Sequence, residues 1–328
     1  MIPNELNIDG ISKIYKSIIP YINKTPLIKA NEQLDNFFNT KLYLKCEFFQ
    51  KSGSFKARGA VNNILSMDNK KLKNGVTAVS AGNHAIAVSY VANLFNLKNK
   101  IFLYNSANKY RVRTCKNFNA NLQLTDPINA FEDVLLAEKD GYNFIHPFDG
   151  PQTLQGSATL GLELHNQFNK LNKSIDNVIV SVGGGGLISG IGSLIKQVYP
   201  NAKIIGIEPD KAMGMTESLK LGKPINKVSL KNSIADSLST PLHLKYSFSV
   251  AKQVIDKMIT VTDDEMIESM LFAFENLKLV LEPACVASLA GLKNYVNSDL
   301  KNQNTVIILC GSNLDYETWK NLVLRNTI

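Results

Sequence analysis

The chain has 328 residues, 45% of them apolar and 20% charged, with 36 lysines and arginines against 28 acidic residues and a net charge of +8. That length suits one two-lobed enzyme with a full core, and the basic residues are dispersed among asparagines instead of forming runs interleaved with aromatics, which argues against a nucleic-acid partner. No apolar stretch reaches the ~20 residues of a membrane helix, and residues 1–10 are polar and lack the apolar segment of an export signal.

The first informative junction follows a strand-like alternation over residues 42–48. It reads Gly53-Ser54-Phe55-Lys56-Ala57-Arg58-Gly59 and leads into a helical pattern over 60–67. A lysine flanked by small residues at such a junction suits an amine that holds an aldehyde cofactor as a Schiff base and later moves protons. The same residues also read as a solvated surface lysine. A second junction, Ser80-Ala81-Gly82-Asn83-His84-Ala85, lies between a strand at 76–79 and a helical pattern over 85–95. Its amides, hydroxyl and side-chain amide can grip a small carboxylate; helix capping is the competing reading for His84 and Asn83. Strand-like runs follow at 100–104, 121–124 and 142–145, with a helical pattern at 128–139 among them.

The third junction is a β-branched run at 178–182 followed by Gly183, Gly184, Gly185, Gly186, Leu187 and Ile188. Four glycines remove every Cβ from the turn, so successive N–H groups can face one phosphate at a helix start. The spacing does not fit G-x-G-x-x-G, since Ile188 and Ser189 stand where a third glycine is needed, and no Gly-Lys-Ser/Thr follows. Further buried-strand runs lie at 204–207 and 306–309, the latter ending at Cys310. Alternating strands and helices predict an α/β fold with mostly parallel sheets. Residues 1–73 and 151–328 would form a large lobe and 74–150 a smaller inserted one, with 42–48 joining the large sheet so that Lys56 meets the glycines. The four cysteines, Cys46, Cys115, Cys285 and Cys310, contain no CxxC pairing, and the four histidines show no metal spacing. A cytoplasmic enzyme with reduced thiols and no metal is the simplest expectation.

Taken together, these segments resemble the fold-type II (tryptophan synthase β-like) pyridoxal-phosphate enzymes, specifically the threonine/serine dehydratase and serine racemase group. The resemblance runs from Thr25-Pro26-Leu27 through the three junctions to Glu282-Pro283 and Cys310-Gly311-Ser312-Asn313. It implies a two-lobed fold and pyridoxal 5'-phosphate (PLP) held by Lys56. Phe55 and Gly183, Gly184, Gly185, Gly186 and Leu187 would frame the cofactor, Asn83 would bond its ring hydroxyl, and Cys310 would stand at the pyridine nitrogen. Ser80, Ala81, Gly82, Asn83 and His84 would hold the substrate carboxylate. A neutral thiol at that nitrogen keeps the ring a weaker electron sink than a carboxylate partner does, which favours elimination over transamination. The substrate would be a small amino acid and the protein a homodimer or higher homo-oligomer, with no room after Asn313 for the regulatory domain of longer threonine dehydratases.

Departures from the family pattern sharpen the expected reaction. Racemases of the group carry a second serine where this chain has Ala81, so proton transfer on the face opposite the lysine is not supplied and elimination is favoured. Metal-binding members use a Glu, a carbonyl four residues on and an Asp two beyond; here Glu208 and Ala212 keep the first two places, but Gly214 replaces the Asp. Any divalent-cation site near Glu208 is therefore expected to be weak or lost. The usual Gly-Gln-Gly-Thr reads Gly156-Ser157-Ala158-Thr159, and Ala-Asp-Gly reads Ala235-Asp236-Ser237. The expected activity is a PLP-dependent ammonia-lyase acting on L-threonine and/or L-serine. The alternatives are serine racemase and a dehydratase for another 3-hydroxy amino acid such as 3-hydroxyaspartate, which would need a cation from Arg58, Arg111 or Arg113.

Overall fold

The structure, a computed structural model, describes residues 2–225, 233–296 and 300–324. Its ten strands are β1 (Leu27–Lys29), β2 (Lys41–Cys46), β3 (Val76–Ser80), β4 (Asn99–Tyr104), β5 (Leu122–Thr125), β6 (Asn143–Phe144), β7 (Asn177–Ser181), β8 (Lys203–Pro209), β9 (Lys257–Val261) and β10 (Asn304–Leu309). They form two sheets, ordered β1-β2-β10-β7-β8-β9 and β5-β4-β3-β6. Every pairing is parallel except β1 with β2, which is antiparallel.

The register of the larger sheet explains the site. β10 lies between β2 and β7 and runs parallel to both, pairing Leu309 with Cys46 and Val306 with Val178. The C-terminal ends of the three strands therefore leave the sheet at the same edge, where α/β proteins place their ligands. From β2 the chain runs to Lys56, from β7 to the glycines and from β10 to Cys310. All five residues of β7 are buried. The helices Gly186–Val198 and Pro283–Tyr295 both contact it, and a strand buried throughout is what a parallel sheet requires.

The small sheet is parallel throughout, and β3 delivers Ser80 to the cleft. Its core draws on residues outside 74–150: Ile18, Ile22, Ala57, Ala60, Val61 and Ile64 join Val76, Ala78 and Ile101 in one apolar cluster. The helix carrying Lys56 thus packs against the small lobe on one side and, through Gly59, Asn62 and Asn63, against Gln152 and Thr153 of the large lobe on another. No helix among the described residues is long and apolar enough to cross a membrane.

Candidate active site

Lys56 is the first residue of the helix Lys56–Leu65, four residues earlier than the sequence pattern suggests. The cause lies two residues on. Arg58 is fully buried and donates from Nε and Nη2 to Glu47 at 2.8 Å each, and from Nη2 to Glu163 at 3.2 Å. Lys45 donates to the second oxygen of Glu163 at 2.6 Å. Two cations and two carboxylates satisfy one another away from water, which fixes the helix start; removing one member leaves an uncompensated buried charge. The Lys56 amine donates to the Pro147 carbonyl at 2.5 Å. Burial pushes its pKa down to about 8, a shift that Cys310 slightly opposes.

Lys56 opens into a cleft between the two lobes, the kind of concave place in which α/β enzymes hold small ligands. Phe55, Ser80, Ala81, Asn83, His84, Gly183, Gly184, Gly185, Gly186, Leu187 and Cys310 line it too. Of the expected site residues only Gly82 does not. A Cβ there would meet the Arg111 side chain at 2.2 Å, so Gly82 is where that arginine crosses the loop.

Gly185 precedes the helix Gly186–Val198 in the left-handed region, at φ 90°, and no side chain caps that helix. Its first N–H groups are left for a ligand, which is the donor set a phosphate requires. The small-lobe loop is built alike. The helix Asn83–Leu94 has no side-chain cap, so the capping reading of His84 and Asn83 does not hold. Ser80 Oγ accepts from Gly82 N at 2.9 Å, shaping the loop. His84 Nε2 donates to the Ile145 carbonyl at 2.8 Å, and burial, with Lys56 nearby, lowers its pKa to about 3, leaving the ring neutral.

Asn83 points across the cleft. Its Nδ2 donates to Glu282 Oε1 at 2.5 Å, and its Oδ1 accepts from Asn313 Nδ2 at 2.6 Å. Arg111 closes the same network: it donates to Glu282 at 3.2 Å, to both oxygens of Asp236 and to the carbonyls of Asn313 at 3.0 Å and Ala81 at 3.3 Å. Glu282, Asp236 and Arg111 were not assigned to the site from sequence, although each carried a signal: Asp236 in Ala235-Asp236-Ser237, Arg111 as a possible substrate cation, and Glu282 in the Glu282-Pro283 pair, which here opens the helix Pro283–Tyr295 with proline at its first position.

Two further placements bear on chemistry. Among the described residues no arginine lines the cavity: Arg58 and Arg111 are spent on Glu47, Glu163, Asp236 and Glu282, and Arg113 is exposed against the Tyr110 ring. The buried Glu208 carboxylate accepts from Met215 N at 2.6 Å, Thr216 N at 2.9 Å and Thr216 Oγ1 at 2.7 Å, capping the helix Gly214–Leu221. No group of three or more His, Cys, Asp or Glu suited to a metal occurs among the described residues.

A buried amine of near-neutral pKa, facing an uncapped, glycine-led helix start in an α/β cleft, defines an enzyme working through a phosphate-bearing aldehyde. Comparison with known proteins gives the same class. The chain belongs to the pyridoxal-phosphate dependent enzyme family, which it matches over residues 18–311. It is 35% identical to phenylserine dehydratase of Ralstonia pickettii, over 95% of each chain. It is 32% identical to an L-threonine ammonia-lyase of Thermotoga maritima, over 94% of this chain and 76% of that one. The solved structure of maize serine racemase superposes with a TM-score of 0.88 at 30% identity, covering 98% of this chain and 99% of the other.

Proposed function

We propose that this protein dehydrates and deaminates 3-hydroxy amino acids, L-threonine and/or L-serine among them, to a 2-oxo acid and ammonia. The carrying observation is that Lys56 and Ala81 line one cavity. The base is an amine with a pKa near 8, well placed for proton transfer near neutral pH, while a methyl group stands where racemases of the group carry a hydroxyl. Bound PLP supplies the electron sink that makes the substrate Cα–H acidic. Gly185 and Gly186 would present backbone N–H groups to its phosphate, the second Nδ2 hydrogen of Asn83 would meet its ring hydroxyl, and Cys310 would stand at its ring nitrogen.

The loop from Ser80 to His84 would orient the substrate carboxylate. Lys56 would take the Cα proton and return it to the departing β-hydroxyl, so that H and OH leave together as water; the released enamine would then tautomerise and hydrolyse to the 2-oxo acid and ammonia. The family standing and the names of the Ralstonia and Thermotoga relatives support elimination. The acidic alternative, 3-hydroxyaspartate, finds no arginine lining the cavity among the described residues. Replacing Lys56 by alanine tests the reading: turnover should vanish and the cofactor absorbance band should shift. An unchanged band with undiminished turnover would remove Lys56 from its role.

A further inference from the structure

The small-lobe wall of the cavity is aromatic. Tyr104 ends β4 immediately after Leu103, the sheet partner of Ser80, so it stands beside the carboxylate loop. Phe131 is the second residue of the helix Ala130–Lys139. Both rings line the cavity with Val79, and both pack into the cluster of Val79, Phe102, Ala130, Val134 and Ala137 while remaining only partly buried. From Phe131 the aromatic surface continues through His146, at 6.2 Å between centroids, to Phe148, at 4.6 Å and edge-on. Phe148 reaches the phosphate end, since a Cβ on Gly184 would lie 2.2 Å from its ring. His146 adds no charge: its Nδ1 accepts from the Phe148 and Asp149 amides, and burial holds its pKa at about 3.

The same cavity is lined by the large-lobe segment from Asp236 to Pro241. One arginine, Arg111, is shared between the carboxylates of Asp236 and Glu282. The Asp236 side chain is still 46% exposed. A second carboxylate on a substrate would meet this acidic excess and a neutral wall, a repulsive element that rejects acidic side chains. A flat apolar group would instead cover the half-buried rings of Tyr104 and Phe131.

We infer that the site prefers 3-hydroxy amino acids bearing an aryl or bulky apolar group on Cβ, and that Phe131 and Tyr104 set that preference. The inference deepens, and rests on, the dehydratase reading: with the carboxylate on the Ser80 loop and the Cα proton at Lys56, a group on Cβ extends to the wall bordering that loop.

The test compares kcat/KM of the holoenzyme for L-threo-3-phenylserine, L-threonine, L-serine and 3-hydroxyaspartate, each scored by 2-oxo acid and ammonia release. Phenylserine should exceed threonine by about tenfold or more, the scale on which an apolar pocket discriminates, with 3-hydroxyaspartate lowest. Phe131→Leu, which keeps the wall apolar, should lose several-fold for phenylserine, chiefly through KM, with threonine near its wild-type value. Phe131→Arg should narrow the gap for 3-hydroxyaspartate. Threonine or serine turned over as well as phenylserine would overturn the inference and leave the dehydratase reading standing. A Phe131→Leu loss equal for all substrates would likewise overturn it. Release of 2-oxo acid from none of the four would overturn the dehydratase reading itself.

Discussion

Asn83 and Glu282 come from opposite lobes and meet at 2.5 Å, the Asn83 amide donating to the Glu282 carboxylate. Because Asn313 donates to the other end of the same amide, its orientation is fixed, and one Nδ2 hydrogen is left to face the cavity. Burial raises the pKa of Glu282, and the Arg111 charge beside it opposes that shift. Glu282→Gln should free the Asn83 amide to rotate and leave Arg111 with Asp236 alone. The expected cost is ~1–3 kcal/mol of stability with weaker cofactor retention, read by thermal unfolding and by equilibrium PLP binding. Wild-type values for both would show that the clamp has no part in holding the site.

A Cβ on Gly185 would meet Met215 Cε at 2.6 Å, and the residue sits at φ +90°. The obstacle to a side chain is therefore backbone conformation plus a neighbouring methyl. Gly185→Ala should cost ~1–2 kcal/mol for the left-handed backbone. An empty loop relieves that strain by leaving the cup geometry, so PLP binding should weaken by about tenfold. Unaltered PLP affinity in this variant would place the phosphate elsewhere.

The cofactor-free protein should show the depressed Lys56 pKa directly. Only the neutral amine condenses with an aldehyde, so the PLP reloading rate should climb with pH through about 8, against 10.5 for an ordinary lysine. The same shift fixes a sign for stability. Between those two values the unfolded chain holds a proton that the folded one lacks, so stability of the cofactor-free protein should rise with pH across the window and the full penalty should apply below it. Lys56→Met should abolish this component. A reloading midpoint near 10 would contradict the burial of the amine.

Divalent cations should matter little. The Glu208 carboxylate is engaged with Met215 and Thr216, and Gly214 offers no side-chain oxygen. Exhaustive chelation followed by Mg²⁺ or Ca²⁺ should change neither turnover nor thermal midpoint appreciably. Activation of tenfold or more, on the order of 1.4 kcal/mol, would show that a cation displaces the helix cap.

Much of this site is legible in the sequence because each of its three loops follows a strand and precedes a helix. The β-branched run into Gly183 and the alternation into Phe48 each mark a strand that must end near the ligand edge. What escapes is set by distance along the chain. Nothing near Arg58 or Arg111 announces that their carboxylates lie 105 and 171 residues away at Glu163 and Glu282. Both arginines therefore read as free cations. Tyr104 and Phe131 fall within the strand-like run at 100–104 and the helical pattern at 128–139, and nothing in either pattern shows that these residues pack in the small lobe and also line the cavity. β1 has three residues and β9 is only partly buried, so neither carries the periodicity that identifies a strand.

The most direct test of the reaction is its partition on one substrate. Holoenzyme is incubated with L-serine, and pyruvate, ammonia and D-serine are followed together. Pyruvate and ammonia should form in equal amounts, with D-serine near background, because Ala81 has no proton to deliver; Ala81→Ser should raise D-serine by a small but measurable amount, since a useful acid also needs supporting hydrogen bonds. Interconversion of L- and D-serine by the wild-type protein at the rate of pyruvate release would contradict dehydration as the principal reaction and assign the site to racemisation.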